Sequence, residues 1–348
     1  MRRTTNKPLS AQIKKRTSTP VQKKPEYDGD IGTVISTGST LLDLAISGGR
    51  VRGGGLPGGI LVEIFGPSGS GKTVLLCEIA GAIQRKKGNI MFFDPEARLN
   101  KTFAQMFDLD PDEMDYTTPD TIPEMFKEVR KWEPGEAAIN GIMADSLAAL
   151  STDMEMDNDD GDKMGMRRPK EFSEQLRKTA RILVQKNLLM VCSNQIRDNL
   201  DAGPYGVKHK SPGGNAIGFY ASLRLRTMGA TKIKQKEKVA GKEVTRVVGI
   251  TTTVEVFKSS VDKPYRTAPV TIIFDYGIDN IRENLVFIKK YTGASTYVLN
   301  GEKLAVSLEK AVAIVEEEGL EKELQEETID VWEIIENKFK SDRKNKKR

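Results

Sequence analysis

The chain has little cysteine, a single histidine and few aromatics, and each scarcity closes off a class of function. Of its 348 residues two are cysteines, Cys77 and Cys192; both fall in apolar segments, so buried reduced thiols are expected rather than a disulfide scaffold. One histidine excludes His-rich zinc arrangements, and neither cysteine resembles a metal ligand. No apolar run approaches the length of a bilayer span. The N-terminal residues are basic without an apolar signal core, so a cytoplasmic protein with no membrane partner is expected. No internal repeat is visible. What is present is ordinary: 38% hydrophobic and 30% charged residues, length for a sizeable core with a small appendage, and a net charge of +5 whose placement matters more than its size.

The most informative stretch is ILVEIFGPSGSGKTVLLCEIAGAIQRKK, Ile60 to Lys87. A mostly apolar run, Leu61 to Phe65, breaks at Gly66-Pro67-Ser68-Gly69-Ser70-Gly71-Lys72-Thr73, after which Leu75, Leu76, Ile79 and Ile83 recur at the spacing of one helix face. That is strand, glycine loop and helix. The loop matches G-x-x-x-x-G-K-[ST], in which backbone N–H groups surround phosphate oxygens, Lys72 reaches the β/γ-phosphates and the Thr73 hydroxyl holds Mg²⁺. Glycine is required where a Cβ would block the turn and the approach of phosphate.

Along the chain, Met1 to Tyr27 carries eight Lys or Arg against one Glu, with Pro8, Pro20 and Pro25, so residues 1–30 read as a basic flexible arm. A solubilising tail and a nonspecific nucleic-acid contact fit it equally. After the glycine loop, strands are expected at Ile90–Asp94, Met114–Thr117, Ile139–Ala144 and Leu188–Cys192, and helices at Thr102–Leu109, Ile122–Trp132 and Pro169–Lys186. This alternation predicts an α/β protein with a doubly wound, mostly parallel sheet. From Ser222, SLRLRTM and VTRVVGITTTVEVFK alternate or are β-branched, predicting an antiparallel extension of that sheet. Residues 31–282 thus form the expected core and 283–340 a small C-terminal unit, with Leu324, Thr328, Val331 and Ile335 as a helical stripe. Residues 341–348 are a basic tail.

Hydrolysis of a phosphoanhydride requires a metal, a positioned water and charge stabilisation, so carboxylates are expected at strand ends beside the loop. FFDPE places Asp94 at one strand end and Glu96 two residues later; IMADS places Asp145 at another. Glu96 reads as the base that activates water, and Asp145 as support for Mg²⁺ with Thr73. Acidic residues also cap loops after strands, and that reading stays open for either alone. Ser193-Asn194-Gln195 follows an apolar strand, where an amide can sense a γ-phosphate; ordinary turn chemistry competes for Asn194. Two long segments follow strand ends on the same edge. Ser151–Arg168 ends in Met164-Gly165-Met166-Arg167-Arg168, and Arg197–Pro212 holds Tyr205, Lys208, His209 and Lys210, followed by Gly213-Gly214-Asn215. Their cations, aromatic and glycines suit a polynucleotide backbone with stackable bases, or equally a pair of solvated loops.

Together ISTGSTLLDLAISGG, GPSGSGKT, FFDPEARL, ADSLAAL, MGMRR, SNQIRDN, PGGNAIGFYAS and DYGI resemble the RecA-type homologous recombinases over about Ile31 to Tyr297. The resemblance implies a RecA-type P-loop ATPase core using ATP and Mg²⁺, with a small C-terminal α+β unit. It implies an ATP-dependent recombinase that forms a homo-oligomeric helical filament on single-stranded DNA and pairs it with homologous duplex DNA. Carried over by position, it implies Gly66 to Thr73 for triphosphate, Glu96 for water activation, Asp145 for the second acidic motif, Gln195 for γ-phosphate sensing, and Asn100 and Phe103 near the base or ribose. It also implies Met164, Arg167, Arg168, Arg197, Gly213, Gly214 and Asn215 as DNA contacts, and Lys258 as a cation reaching a neighbour's ATP. There are departures. Ser260 stands where the bacterial proteins have a second lysine, VFKSSVDKPYRTAP is closer to the UvsX-like recombinases of T-even phages, and SDRKNKKR replaces an acidic tail. A helicase-like motor of the same fold and a non-catalytic single-strand binding mediator are the competing functions.

Overall fold

The computed structural model describes residues 31–153, 155, 167–198, 209–210, 215–341 and 343. The basic arm 1–30, most of the tail 341–348, and Met164, Lys208, Gly213 and Gly214 lie outside the described residues. A short antiparallel ribbon, β1 (Val34–Ile35) with β2 (Leu56–Pro57), flanks α1 (Thr40–Ser47). The helix begins where the Ser39 hydroxyl accepts from Leu42 N, satisfying one of the N–H groups that a helix start leaves unpaired. Then come β3 (Leu61–Gly66), α2 (Lys72–Arg85), β4 (Ile90–Phe93), α3 (Lys101–Gln105), β5 (Met114–Thr117), α4 (Ile122–Lys131), β6 (Asn140–Ala144), α5 (Arg167–Gln185) and β7 (Leu188–Gln195). After the small pair β8 (Arg197–Asp198) and β9 (His209–Lys210), α6 (Asn215–Tyr220) leads to β10 (Leu223–Thr227). The hairpin β11 (Thr231–Val239) and β12 (Lys242–Ser259), then β13 (Thr267–Ile273) and β14 (Gly277–Ile278), complete the sheet. The C-terminal segment holds α7 (Asn280–Thr292), β15 (Tyr297–Leu299), β16 (Glu302–Ala305), α8 (Leu308–Glu318) and α9 (Glu321–Lys338).

One sheet organises the molecule. Its strands β5, β4, β6, β7, β3 and β10 lie side by side and all parallel, and β12, β13 and β14 continue it antiparallel, with β11 paired to β12. The expected doubly wound, mostly parallel sheet with an antiparallel extension is therefore observed. Parallel strands need crossovers, and the helices that supply them bury both faces. Val62, Ile64, Leu189 and Val191 turn to the face covered by Leu75, Leu76 and Ile79 of α2. Leu61, Met190 and Cys192 turn to the other, under Phe126 of α4 and Phe172 and Leu176 of α5. Full burial of each such side chain contributes about 1.5–3 kcal/mol, which is why these strands are apolar on both faces rather than alternating.

Several elements differ from the sequence expectation. The helix expected over Thr102–Leu109 stops after Gln105, because Phe107 N and Leu109 N both turn back to Ala104 O and Asp108 takes a left-handed φ of 53°. Strand β7 runs three residues past Cys192, since its polar end still pairs with β3: Phe65 faces Asn194 and Gly66 faces Gln195. Helix α5 starts at Arg167, two residues before Pro169. Helix α7 runs across position 283, and the residues of α9 that are buried are Leu324, Thr328 and Ile329 rather than the whole expected stripe. A third apolar cluster, with Leu285, Ile288, Val315 and Leu324, serves this C-terminal segment. Among the described residues no helix is long and apolar enough to cross a membrane.

Candidate nucleotide site

The strand-to-helix turn after β3 is held from outside as much as by its own glycines. Gly71 has φ +87°, a conformation that demands glycine, and a Cβ there would stand 2.3 Å from Ile272 Cδ1, which would have to move. The Ser70 hydroxyl bonds Pro67 O and the Thr227 hydroxyl, both at 2.7 Å, tying the loop to the end of β10. Lys72, mostly buried, donates from Nζ to Gly66 O at 3.1 Å and Pro67 O at 2.7 Å. Burial lowers its pKa from the ordinary lysine value, and the Asp145 carboxylate partly opposes that shift. Both acceptors are neutral carbonyls; a polyphosphate would bring the ammonium charged partners.

The strand-end residues converge on the same place. Asp145, directly after β6, accepts from the Thr73 hydroxyl at Oδ2, 2.6 Å, and from the Ser193 hydroxyl of β7 at Oδ1. Glu96 lines the cavity and pairs with Arg98 Nη1 at 2.7 Å. Asp94 does different work: buried, it accepts from Arg98 N and Leu99 N, both at 2.8 Å, and from the Tyr116 hydroxyl at 2.9 Å, so it shapes the loop that presents Glu96. Gln195 sits level with Gly66 at the end of the adjacent strand and lines the same cavity. Asn194, one residue earlier, points to the opposite face and donates to Glu63 Oε1 at 3.0 Å, inside a strand rather than a turn.

The cavity, about 540 Å³, extends from this polar end to an apolar one. Asn100 caps α3 by accepting from Phe103 N at 2.8 Å, and Phe103 packs edge-on to Phe107 with ring centres 5.0 Å apart; all three line the cavity. Facing them are Ile250, Ile272, Ile273 and Gly277 of the antiparallel strands and Phe274 and Asp275 of the turn between β13 and β14, none of them singled out as a site residue from sequence. Gly277 alone carried a signal. Its φ is +113° and a Cβ would stand 3.2 Å from both Phe107 Cε1 and Glu78 Oε1, a close approach that a glycine in a strand can mark.

Lys258 of β12 lies away from this cavity. Its Nζ donates to Gly218 O at 2.9 Å and Phe219 O at 3.0 Å, at the end of α6, and burial lowers its pKa, helped by nearby Arg224. Ser260 donates to Ser222 O at 3.1 Å. Of the expected DNA contacts, Arg167 opens α5, Arg197 and Lys210 belong to β8 and β9, and Asn215 opens α6. Arg168 donates to Leu147 O and to Ala148 O, the latter at 3.0 Å, beside the Asp145 strand end.

A triphosphate with Mg²⁺ fits this donor set. Among the described residues no group of three or more His, Cys, Asp or Glu side chains is arranged to hold a metal unaided. Thr73 and Asp145 offer hard oxygens, as Mg²⁺ prefers, and Mg²⁺ usually completes its shell with phosphate and water. The Ser146 hydroxyl, buried on the cavity wall, has no hydrogen-bond partner among the described residues, a polar atom suited to a ligand or water. Fold and site together define a phosphate-loop α/β protein of the doubly wound class. The chain belongs to the RecA family: the family model described as the RecA N-terminal domain matches residues 13–279. It is similar to Protein RecA of Delftia acidovorans, 32% identical over 303 residues, covering 85% of this chain and 78% of that protein. Protein RecA of Colwellia psychrerythraea is 32% identical over 290 residues, 81% of this chain and 79% of that protein. Protein RecA of Wolbachia pipientis subsp. Culex pipiens is 35% identical over 250 residues, 72% and 66% respectively.

Proposed function

We propose that this is a cytoplasmic, ATP-dependent recombinase that assembles as a helical filament on single-stranded DNA and pairs it with homologous duplex DNA. The observation that carries the reading is the convergence of Lys72, Thr73, Glu96, Asp145 and Gln195 from four parallel strand ends onto one cavity, in a chain of the RecA family. Lys72 and the loop amides bind the triphosphate. Bound Mg²⁺ would supply charge neutralisation on the transferring phosphoryl group. Glu96 takes the proton of the attacking water at its carboxylate once released from Arg98, and Gln195 hydrogen-bonds the γ-phosphate and reports its loss along β7 to the segment that follows. That segment and the one after Asp145 are the DNA-binding loops of this reading, with the arginines and lysines named above neutralising backbone phosphates. Lys258 reaches a neighbour's nucleotide when subunits stack, and residues 283–340 act as a small separate domain.

The decisive test is strand exchange. Incubated with ATP, Mg²⁺, a single strand and its homologous duplex, the full chain is expected to form joint molecules and to turn over ATP faster with single-stranded DNA than without. ATP turnover indifferent to DNA would indicate another activity on the same fold. DNA binding with neither turnover nor joint molecules would indicate a mediator.

A further inference from the structure

Strand β7 is apolar on both faces from Leu188 to Cys192, all of them buried, and then places a hydroxyl where the pattern calls for another apolar side chain. Ser193 is fully buried on the α2 face of the sheet, in line with Leu189 and Val191. A buried hydroxyl costs free energy unless it is hydrogen-bonded. Here its acceptor is Asp145 Oδ1 across the adjacent strand pair.

The consequence lies in the carboxylate. The terminal torsion of an aspartate is broad, so one donor at one oxygen does not fix the plane of the group. Thr73 bonds only Oδ2; Ser193 takes Oδ1, and with both oxygens engaged the carboxylate plane is set. A hydroxyl on a carboxylate is a charge-assisted bond, stronger than one between neutral groups. We propose that Ser193 is a positioning residue for the metal side of the site: by holding Oδ1 it keeps Asp145 Oδ2 turned to the Thr73 hydroxyl, where Mg²⁺ would be held. This deepens the ATP reading and rests on it. It also makes β7 serve two purposes, since Gln195, two residues on and on the same face, lines the same cavity. A shift of this strand end that moves the amide would move the hold on the metal-side carboxylate with it.

The test is binding, not turnover. Affinity for a slowly hydrolysed ATP analogue is measured by calorimetry over a Mg²⁺ titration, and without Mg²⁺ in EDTA, for the full chain, Ser193→Ala and Ser193→Thr. The alanine variant is expected to need about tenfold more Mg²⁺ for half-maximal binding, the scale on which loss of a group that orients a ligand acts. Its Mg²⁺-free affinity should stay that of the parent, and threonine, which restores the hydroxyl, should return the Mg²⁺ requirement toward the parent's. An alanine variant with the parent's Mg²⁺ requirement overturns the proposal, as does one weakened equally with and without Mg²⁺, which marks a packing role. If alanine does not fold, Ser193→Cys, which keeps the size and donates only weakly, takes its place: a raised Mg²⁺ requirement supports the role, and the parent's requirement overturns it. A parent that binds no nucleotide would instead sink the ATP reading itself.

Discussion

The parallel half of the sheet and its antiparallel half wall the same cavity from two sides, and by different means. Strands β3, β4, β6 and β7 bring polar groups to the loops at their carboxyl ends: Lys72, Glu96, Asp145 and Gln195, the residues to which the proposed function gives the phosphate chemistry. Strands β12 to β14 and the turn before β14 bring Ile250, Ile272, Phe274 and the close approach at Gly277, a largely apolar wall opposite those groups. Charge is thus concentrated where strands end together, and shape where they run side by side. The division follows from topology. Parallel strands all point their ends at one edge, whereas antiparallel ones alternate and expose backbone flanks instead.

The largest effect should come from the parallel half. Glu96→Gln keeps the shape of the side chain and removes the base, so ATP should still bind while turnover falls by about two orders of magnitude or more. Comparing nucleotide affinity with steady-state turnover separates the two. Turnover within a few-fold of the parent would show that the strand-end carboxylates are not where the chemistry is done, and the contrast between the halves would fail at its strongest point.

This same contrast explains what was legible in the sequence. That the glycine loop, Glu96, Asp145 and Gln195 meet at one cavity was legible because a loop motif and polar residues ending apolar runs are local patterns. Ile250 and Ile272 could not, because a strand isoleucine that lines a cavity has the same sequence signature as one that fills a core. The end of β7 was misjudged for a related reason. The apolar run stops at Cys192 and turn chemistry competes for Asn194, yet backbone pairing with β3 carries the strand on to Gln195, and the partners of Ser193 and Asn194, Asp145 and Glu63, are far away in sequence. Helix α3 ends short of the expected Leu109 because the backbone turns back on Ala104, a hydrogen bond that residue types alone do not reveal.

An intermediate effect is expected in the antiparallel half. Lys258 is engaged by carbonyls of α6 and stands off the cavity, so in the proposed filament its part in hydrolysis is played on a stacked neighbour. Lys258→Ala should reduce DNA-stimulated turnover by about tenfold, a modest share of what a cation supplied in trans contributes elsewhere, and leave nucleotide binding by isolated subunits unchanged. A variant that hydrolyses ATP normally on DNA would confine chemistry to the parallel half. Arg266 would be a poor substitute, because Asp262 and Glu336, both at 2.6 Å, already hold its guanidinium within the subunit.

The smallest effect concerns the support beneath the antiparallel half. Helix α1 packs on β12 and β13, and its Asp43, fully enclosed, accepts from the Ser36 hydroxyl at 2.5 Å, Thr37 N at 2.8 Å and the Thr37 hydroxyl at 2.7 Å. Burial outweighs these bonds and pushes its pKa up to about 6 from 3.8. Because the native pKa is the higher one, the folded protein binds the proton more tightly than the unfolded chain. Stability from this group is therefore fully present below pH 3.8 and lost as pH rises through 6. Between pH 5 and pH 7 the loss amounts to about 1 kcal/mol. Glu78 and Glu283, whose pKa values burial also raises, add slopes of the same sign, so the parent alone does not isolate Asp43. Asp43→Asn does: it keeps an acceptor for Thr37 and lets the Ser36 hydroxyl rotate to accept, but it no longer titrates. Denaturant unfolding of both proteins at pH 5 and pH 7 should show the parent losing about 1 kcal/mol more than the variant across that interval. Equal losses would mean that the α1 carboxylate is charged at both pH values and that its three donors outweigh burial.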